Sequence, residues 1–388
     1  MNSGFHCSKF KLFLLYMLVL FSVIITILSK ENVRFDTFRI TVTVKNHIAY
    51  FFESRMTYDA SKEETKISMK SELSQNINTS TRISPLKSPL ESKDFFKVKM
   101  KPDLMKLVNP SNPKFALTVN GSYLLENKNH CSSVSNLTIL VMVLSAPNNF
   151  QKRITIRETW ANGSLYSSYG TIKVIFLLGI IDDSKVQYNI EKEFKRYGDI
   201  VQGSFVDSYH NLSHKSVMGY KWATERCRKA KYVIKTDDDI VINMFRVFKS
   251  DIHVMSVNQN HVHCQRFTGS LVVREKQHKY YVGPNQFKGR TFYPPYCNGQ
   301  YVLMLNVIVP YLYESALQTP LFWIDDVFIY GLVMGNIPAL KYRQITVEEI
   351  GTYRCWEEEN SNCIYRYQVT EGVTQMKDVW TAITKQNT

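Results

Sequence analysis

Residues 137–144 read LTILVMVL, an unbroken run without a charged side chain, and a loop signal, Ser145-Ala146-Pro147-Asn148-Asn149, closes it. A run of this length, bounded by turn residues, suits a strand buried on both faces. Working outward, three more runs of the same kind follow: IKVIFLL at 172–178, ended by Gly179, then 199–205, then KYVIKT at 231–236. Helix-like stretches lie between them at 151–160, 183–197 and 212–229. Apolar strands alternating with helices predict an α/β fold, a mostly parallel sheet flanked by helices on both faces. In such sheets ligands bind beyond the carboxyl ends of the strands. No internal repeat is visible.

The chain before these strands has a different character. Residues 12–28 read LFLLYMLVLFSVIITIL with no charge inside, with Lys9 and Lys11 before them and Lys30 and Arg34 after. That length is at the short end of the ~17–25 residues that span a bilayer. Without a small-residue cleavage signal near Ser29, the stretch is expected to be an uncleaved transmembrane anchor rather than a signal peptide. Residues 29–130 are rich in Ser, Thr, Asn and Lys and carry Ser84-Pro85, Ser88-Pro89, Asn109-Pro110 and Asn112-Pro113. These are turn signals, and the segment is expected to be a stem, with one strand-like alternation at 39–52. The expected organisation is a cytoplasmic tail (1–11), an anchor (12–28), a stem (29–130) and a lumenal catalytic domain (131–388).

With 388 residues, 44% of them hydrophobic, the chain can build a substantial core, and its net charge of +14 directs attention to acidic partners. The basic residues form no run of five or six, and no zinc-finger or helix-turn-helix pattern is present, which argues against nucleic acid. Besides Cys7 there are six cysteines, Cys131, Cys227, Cys264, Cys297, Cys355 and Cys363. An even set fits an oxidising compartment, with Cys355 and Cys363 close enough for a local bridge. Five glycosylation sequons, at Asn78, Asn120, Asn136, Asn162 and Asn211, agree with that compartment. His261-Val262-His263-Cys264 imitates a metal cluster but lacks a matching second pair.

The chemistry is expected from carboxylates. Lys235-Thr236-Asp237-Asp238-Asp239-Ile240-Val241-Ile242-Asn243 sets three acids at the end of a buried strand. In extended chain Asp237 and Asp239 face one side, a hard oxygen site for Mn²⁺ or Mg²⁺ that leaves room for a diphosphate. A solvated charge cluster or a helix cap is the plainer alternative. Phe322-Trp323-Ile324-Asp325-Asp326-Val327-Phe328-Ile329 buries two acids among apolar residues, as a general base requires or as a helix N-cap pair would. Arg153 and Arg157, one helical turn apart, can hold a phosphate or make surface ion pairs. Residues 292–301, FYPPYCNGQY, read as a rigid aromatic loop suited to sugar rings or simply as a turn.

In this order the segments resemble the beta-1,3-galactosyltransferase-like family, glycosyltransferase family 31, over roughly residues 136–335. The carriers are Ser145-Ala146-Pro147, Arg153 to Trp160, Phe176 to Gly179, Asp199 through Lys215, Trp222, Cys227, Lys235 to Asn243, Tyr293 to Tyr301, and Asp325-Asp326-Val327. The resemblance implies a GT-A fold and a single-pass Golgi membrane protein. It implies an inverting, metal-dependent transfer of galactose, N-acetylglucosamine or N-acetylgalactosamine from a UDP-sugar to a glycan hydroxyl, forming a beta-1,3 linkage on protein or lipid. It carries Asp326 onto the catalytic base position. Asp237 and Asp239 fall in the metal motif, with Mn²⁺ the implied ion, and Arg153, Arg157, Lys215, Asp237 and Asp238 become donor-binding candidates. The Asn211 sequon falls inside a family motif, which counts against its glycosylation. This chain departs from the family where Glu-Asp-Val becomes Asp325-Asp326-Val327, where Tyr330 displaces Gly331 by one place, and where His214 stands in the motif ending at Lys215. The rival classes are a non-catalytic lectin-like or chaperone member of the family, and a metal-dependent phosphohydrolase built on the same aspartates.

Overall fold

All four apolar runs are strands in the computed structural model, which describes residues 97–115, 122–257, 260–351 and 365–387. They form β2 (Ile139–Leu144), β3 (Ile172–Ile180), β4 (Ile200–Val206) and β5 (Tyr232–Asp237). The expected anchor and the Cys355–Cys363 pairing lie outside the described residues. Among the described residues no helix is long and apolar enough to cross a membrane.

β2 explains why its sequence does not alternate. All six residues are buried. Leu140, Met142 and Leu144 enter one core, while Ile139, Val141 and Val143 enter the other. Each such side chain contributes about 1.5–3 kcal/mol of burial. The first core is covered by α3 (Leu212–Arg226) and α4 (Val309–Gln318), through Val217, Tyr220, Trp222 and Leu312. The second is covered by α1 (Phe150–Glu158), α2 (Ser184–Tyr197) and α5 (Val373–Lys385), through Ile156, Ile190, Met376 and Val379. Asp183 caps α2 by accepting from the Lys185 and Val186 amides, and Gly198, at φ 63°, ends it in the left-handed conformation.

The sheet is mixed rather than mostly parallel. Its eight strands run β1-β4-β3-β2-β5-β8-β7-β9. β4, β3, β2 and β5 are parallel neighbours, but β8 (Tyr296–Leu305) pairs antiparallel with both β5 and β7 (His261–Phe267). β9 (Lys341–Gln344) runs parallel to β7 at the edge. The opposite edge is β1 (Tyr123–Leu125), antiparallel to β4, so the folded body takes in residues expected to belong to the stem. Leu107, Val108 and Phe115 are likewise buried in the first core. A small second sheet pairs β6 (Ile240–Ile242) with β10 (Tyr367–Val369).

Two disulfides fix the frame. Cys131–Cys227 joins the approach to β2 to the end of α3, and Cys264–Cys297 joins β7 to β8. The second pairing removes Cys264 from the His-Val-His-Cys imitation of a metal site. Strand order reverses between β2 and β5: β3 and β4 are laid on one side of β2, and β5 returns to the other. The crevice beyond the carboxyl ends of β2 and β5 is therefore the place to look for a site.

Candidate active site

The three consecutive aspartates sit in that crevice and do different work. Asp237 ends β5, and the chain turns at Asp238-Asp239 before β6. Asp238 is buried, and its carboxylate is occupied. It accepts from Ser145 Oγ at 2.7 Å, Ala146 N at 3.2 Å, Asn149 Nδ2 at 2.8 Å and Lys152 Nζ at 3.2 Å. It thus ties the loop after β2 to the end of β5, and this geometry makes it an anchor of the crevice.

Asp237 and Asp239 are both half-buried. Asp237 accepts from Lys235 Nζ at 2.9 Å through Oδ1 only. The main-chain carbonyl of Asp239 is held by Thr370, through its amide and its hydroxyl, which aims this turn from the C-terminal segment. Burial pushes the Asp237 carboxyl up to about 6, against the pull of Lys235, with repulsion from Asp325 and Asp239 adding to it. Burial likewise raises Asp239, with Asp238 adding and Lys152 opposing. Carboxylates that repel each other at a crevice are the donor set a hard divalent cation suits. Among the described residues no three His, Cys, Asp or Glu side chains form a cage. Two carboxylates with the remaining positions left to phosphate and water is the usual arrangement for Mg²⁺-like ions, so the residues fit.

Lys235 connects this motif to the second acidic pair. It is buried on β5, and its Nζ also donates to the Gly299 carbonyl at 2.8 Å and lies 3.8 Å from Asp325 Oδ2. Burial works against its charge, but Asp237, Asp325 and Asp326 outweigh that and hold it protonated. Asp325 also receives Ser216 Oγ at 3.4 Å. Asp326 accepts from the Gly299 amide. Its carboxyl is pushed well above the ordinary carboxylate range by burial first and by Asp325 next, with Lys235 opposing. The pair opens a helical segment, yet Asp326 makes no side-chain cap hydrogen bond, so helix capping does not account for it.

Gly299 belongs to β8, where the sequence suggested a loop through residue 301. A methyl group there would lie 2.1 Å from Asp326 Oδ1 and 2.6 Å from Lys235 Nζ. The glycine is needed for close approach of backbone to carboxylate. The displaced Gly331 also finds an explanation: residues Val327–Val333 form a π-helix. A π turn absorbs one extra residue inside a helix, and such turns concentrate at functional sites. The extra residue, Tyr330, is buried with its hydroxyl 2.8 Å from that of Tyr220 on α3.

The basic candidates are placed around the crevice but are already engaged. Arg153 is fully buried. It donates to Glu193 at 2.7 Å, to Ser145 Oγ at 3.1 Å, to the Ala146 carbonyl at 2.7 Å and to the Pro147 carbonyl at 3.1 Å. Arg157 donates to Asp199 at 2.7 and 2.8 Å and to Glu193 at 2.7 Å. Lys215, also buried, donates to the Ser145 carbonyl at 2.7 Å and to Asp207 at 2.9 Å. Arg153 and Lys215 brace the loop after β2, Lys215 also holding Asp207 at the end of β4, while Arg157 ties α1 to Glu193 on α2 and to Asp199 just before β4; in this geometry each is committed to carboxylate or carbonyl partners. Glu193, Asp199 and Asp207, which complete these pairs, were not singled out from sequence, because a partner on another element leaves no local signal. The Asn211 side-chain amide donates to the Val206 carbonyl at 2.8 Å, which engages the nitrogen a glycan would need.

A family model described as galactosyltransferase matches residues 151–343, a span that holds Asp237, Asp239, Lys235, Gly299 and Asp326. Beta-1,3-galactosyltransferase 1 of Homo sapiens and of Mus musculus is 30% identical over 253 residues, 64% of this chain and 73% of theirs. The lactosylceramide 1,3-N-acetyl-beta-D-glucosaminyltransferase of Homo sapiens is 30% identical over 272 residues, 66% of this chain and 68% of that one. Among solved structures, a glycosyltransferase involved in glycosylation of the major capsid of PBCV-1 aligns at 12% identity over 62% of this chain and 98% of that one, with a TM-score of 0.33, too distant to argue from.

Proposed function

This chain belongs to the galactosyltransferase family and is a glycosyltransferase, and we propose that it moves a hexose or N-acetylhexosamine from a UDP-sugar to a glycan hydroxyl, with inversion, in beta-1,3 linkage. The observation that carries this is Lys235, which bridges Asp237 of the crevice motif to the Asp325-Asp326 pair. One set of carboxylates suits a metal-bound diphosphate. The other supplies a base a short way off.

Asp237 and Asp239 would hold the divalent cation, Mn²⁺ or Mg²⁺, which supplies charge stabilisation to the departing diphosphate. Asp326, ionised, takes the proton of the acceptor hydroxyl. The hydroxyl oxygen forms its bond to the anomeric carbon as the bond to the phosphate oxygen breaks on the opposite face. The electron pair leaves with UDP, and the proton passes from Asp326 to solvent. Lys235 and the Gly299 amide keep the Asp326 carboxylate oriented. Asp238, Arg153 and Lys215 keep the loop after β2 in place, with Arg157 holding Glu193 behind Arg153; direct donor contacts by these four would require their present partners to be exchanged. The donor's nature agrees with the net positive chain, and the cysteines and sequons with a lumenal catalytic domain on a Golgi membrane.

The test is release of UDP from a panel of UDP-sugars with simple glycoside acceptors, with and without EDTA. Release from one donor that needs both acceptor and metal supports the proposal. Release without acceptor would favour a phosphohydrolase, and failure to bind UDP would favour a non-catalytic member.

A further inference from the structure

Three aromatic side chains from separate parts of the chain meet on the surface beside the Asp325-Asp326 pair. Tyr209 comes from the turn Tyr209–Asn211 after β4, Tyr280 from the β7–β8 connection, and Trp323 from two residues before Asp325. The Tyr209 ring lies 6.1 Å from Trp323 and 6.4 Å from Tyr280, centroid to centroid. Tyr209 and Tyr280 are 40% and 39% exposed, so both rings keep surface open to solvent. Two polar side chains lie against one face of two of these rings. Lys279 Nζ stands 4.1 Å over the Tyr209 ring, and His210 lies 4.5 Å from Trp323. The Tyr209 hydroxyl is hydrogen-bonded with Tyr280 and within electrostatic reach of both Asp325 and Asp326.

Resting on the transferase reading, we propose that Tyr209, Tyr280 and Trp323 form the acceptor platform, which takes a neutral oligosaccharide of at least two hexose units. A pyranose has an apolar C–H face and a polar rim. Tyr and Trp offer a rigid apolar face with a polar edge and lose little side-chain freedom when a ligand settles on them. The platform adjoins the base rather than the metal motif, which places the acceptor and not the donor on it. Two ring spacings in series accommodate successive sugar units, with the reactive one at Trp323 and Tyr209 and the next at Tyr280. Lys279 and His210 are placed to donate to hydroxyls. An acidic sugar is disfavoured, because Asp325 and Asp326 would repel it and the Lys279 charge already rests over two rings.

Binding of methyl β-galactoside, lactose, N-acetyllactosamine and their sialylated forms to the full-length chain tests this without turnover. The neutral disaccharides should bind at least tenfold tighter than the monosaccharide. Trp323→Ala and Tyr280→Ala should each weaken them at least tenfold with UDP affinity at the wild-type value; melting temperature should hold in Tyr280→Ala and fall in Trp323→Ala, whose indole is half-buried against the core. Trp323→Phe should restore most of the affinity, and Tyr280 is on an exposed connection where truncation leaves the core untouched. Binding unchanged in both alanine variants, no binding of any oligosaccharide by the wild type, or preference for the sialylated forms would each overturn the platform. If the alanine variants lose oligosaccharide binding while no UDP-sugar is turned over, the platform stands and the transferase reading fails.

Discussion

Replacing Gly299 by alanine adds one methyl group at the most crowded point of the site. The new carbon would stand 2.1 Å from Asp326 Oδ1 and 3.1 Å from its Cγ, where ordinary contact begins at 3.4 Å. The carboxylate must therefore retreat by more than an ångström. Lys235 cannot simply swing aside, because its Nζ is held by Asp237 at 2.9 Å and by the Gly299 carbonyl at 2.8 Å. Overpacking of this kind costs about 1–3 kcal/mol of stability. The catalytic loss should be larger: a displacement of about 1 Å in a catalytic group is associated with roughly 10²-fold in rate. Expected, then, is a chain that still melts cooperatively a few degrees lower, binds UDP and transfers about 100-fold more slowly. The assay is kcat from UDP release, with a thermal melt on the same preparation. A kcat within threefold of wild type would show that Asp326 is not fixed by this contact and would refute the reasoning that makes it a positioned base.

Five more outcomes are expected. Asp326→Asn should lower kcat by about 10²–10⁴-fold, measured as sugar transfer, while UDP binding by calorimetry is retained. Because the base must be ionised, and burial and Asp325 raise its pKa, wild-type kcat should climb with pH well above the ordinary carboxylate range and then level; a flat profile there would oppose the assignment. Folding stability should move the other way. The folded chain holds protons on Asp237 and Asp326 more tightly than the unfolded chain does. Stability is therefore greatest below the ordinary carboxylate range and falls as pH rises through about 6 for Asp237. Melting curves across that window should show the slope, and it should shrink in Asp237→Asn. Mn²⁺ with UDP should raise the melting temperature more than UDP alone, and Asp239→Ala should remove the difference; an equal shift in the variant would dismiss the metal assignment. Arg153→Met leaves buried Glu193 with Arg157 alone and takes the donor from the Ala146 and Pro147 carbonyls; it should cost about 1–3 kcal/mol in denaturant melts with UDP affinity of the folded protein unchanged, whereas a selective loss of UDP affinity would restore a phosphate role.

The parallel half of the sheet was legible because its strands are buried on both faces and their sequences say so. The run at 137–144 became Ile139–Leu144, and the helix expected at 183–197 became Ser184–Tyr197. The antiparallel half was not. β8 begins with Tyr296, Cys297, Asn298, Gly299 and Gln300, after two prolines, and Asn and Gly are poor strand formers that read locally as a turn. Their strand conformation is imposed from outside, by β5 and β7 on either side and by the Cys264–Cys297 bridge. The glycine that broke the pattern is the residue that the Asp326 carboxylate requires. The sequence brings the aspartates forward as candidates but not the way their contacts differ. That Asp238 accepts from Ser145, Ala146, Asn149 and Lys152 depends on the β2–β5 register, which no spacing along the chain encodes.

The seam between the two halves carries more acidic than basic groups. β5 is the strand that both halves share, and Lys235 on it faces Asp237 on one side and Asp325 with Asp326 on the other. One buried ammonium set against three carboxylates leaves the site negative before any donor arrives. A nucleoside diphosphate would add further negative charge to a crevice whose cations Lys152, Arg153, Arg157 and Lys215 are committed to Asp238, Glu193, Asp199 and Asp207. An anionic donor can enter such a crevice only with a counter-charge. That is the physical reason to expect donor affinity here to depend steeply on a divalent cation, and to expect neutralising Asp237 or Asp239 to weaken the donor rather than strengthen it, although either change removes a negative charge.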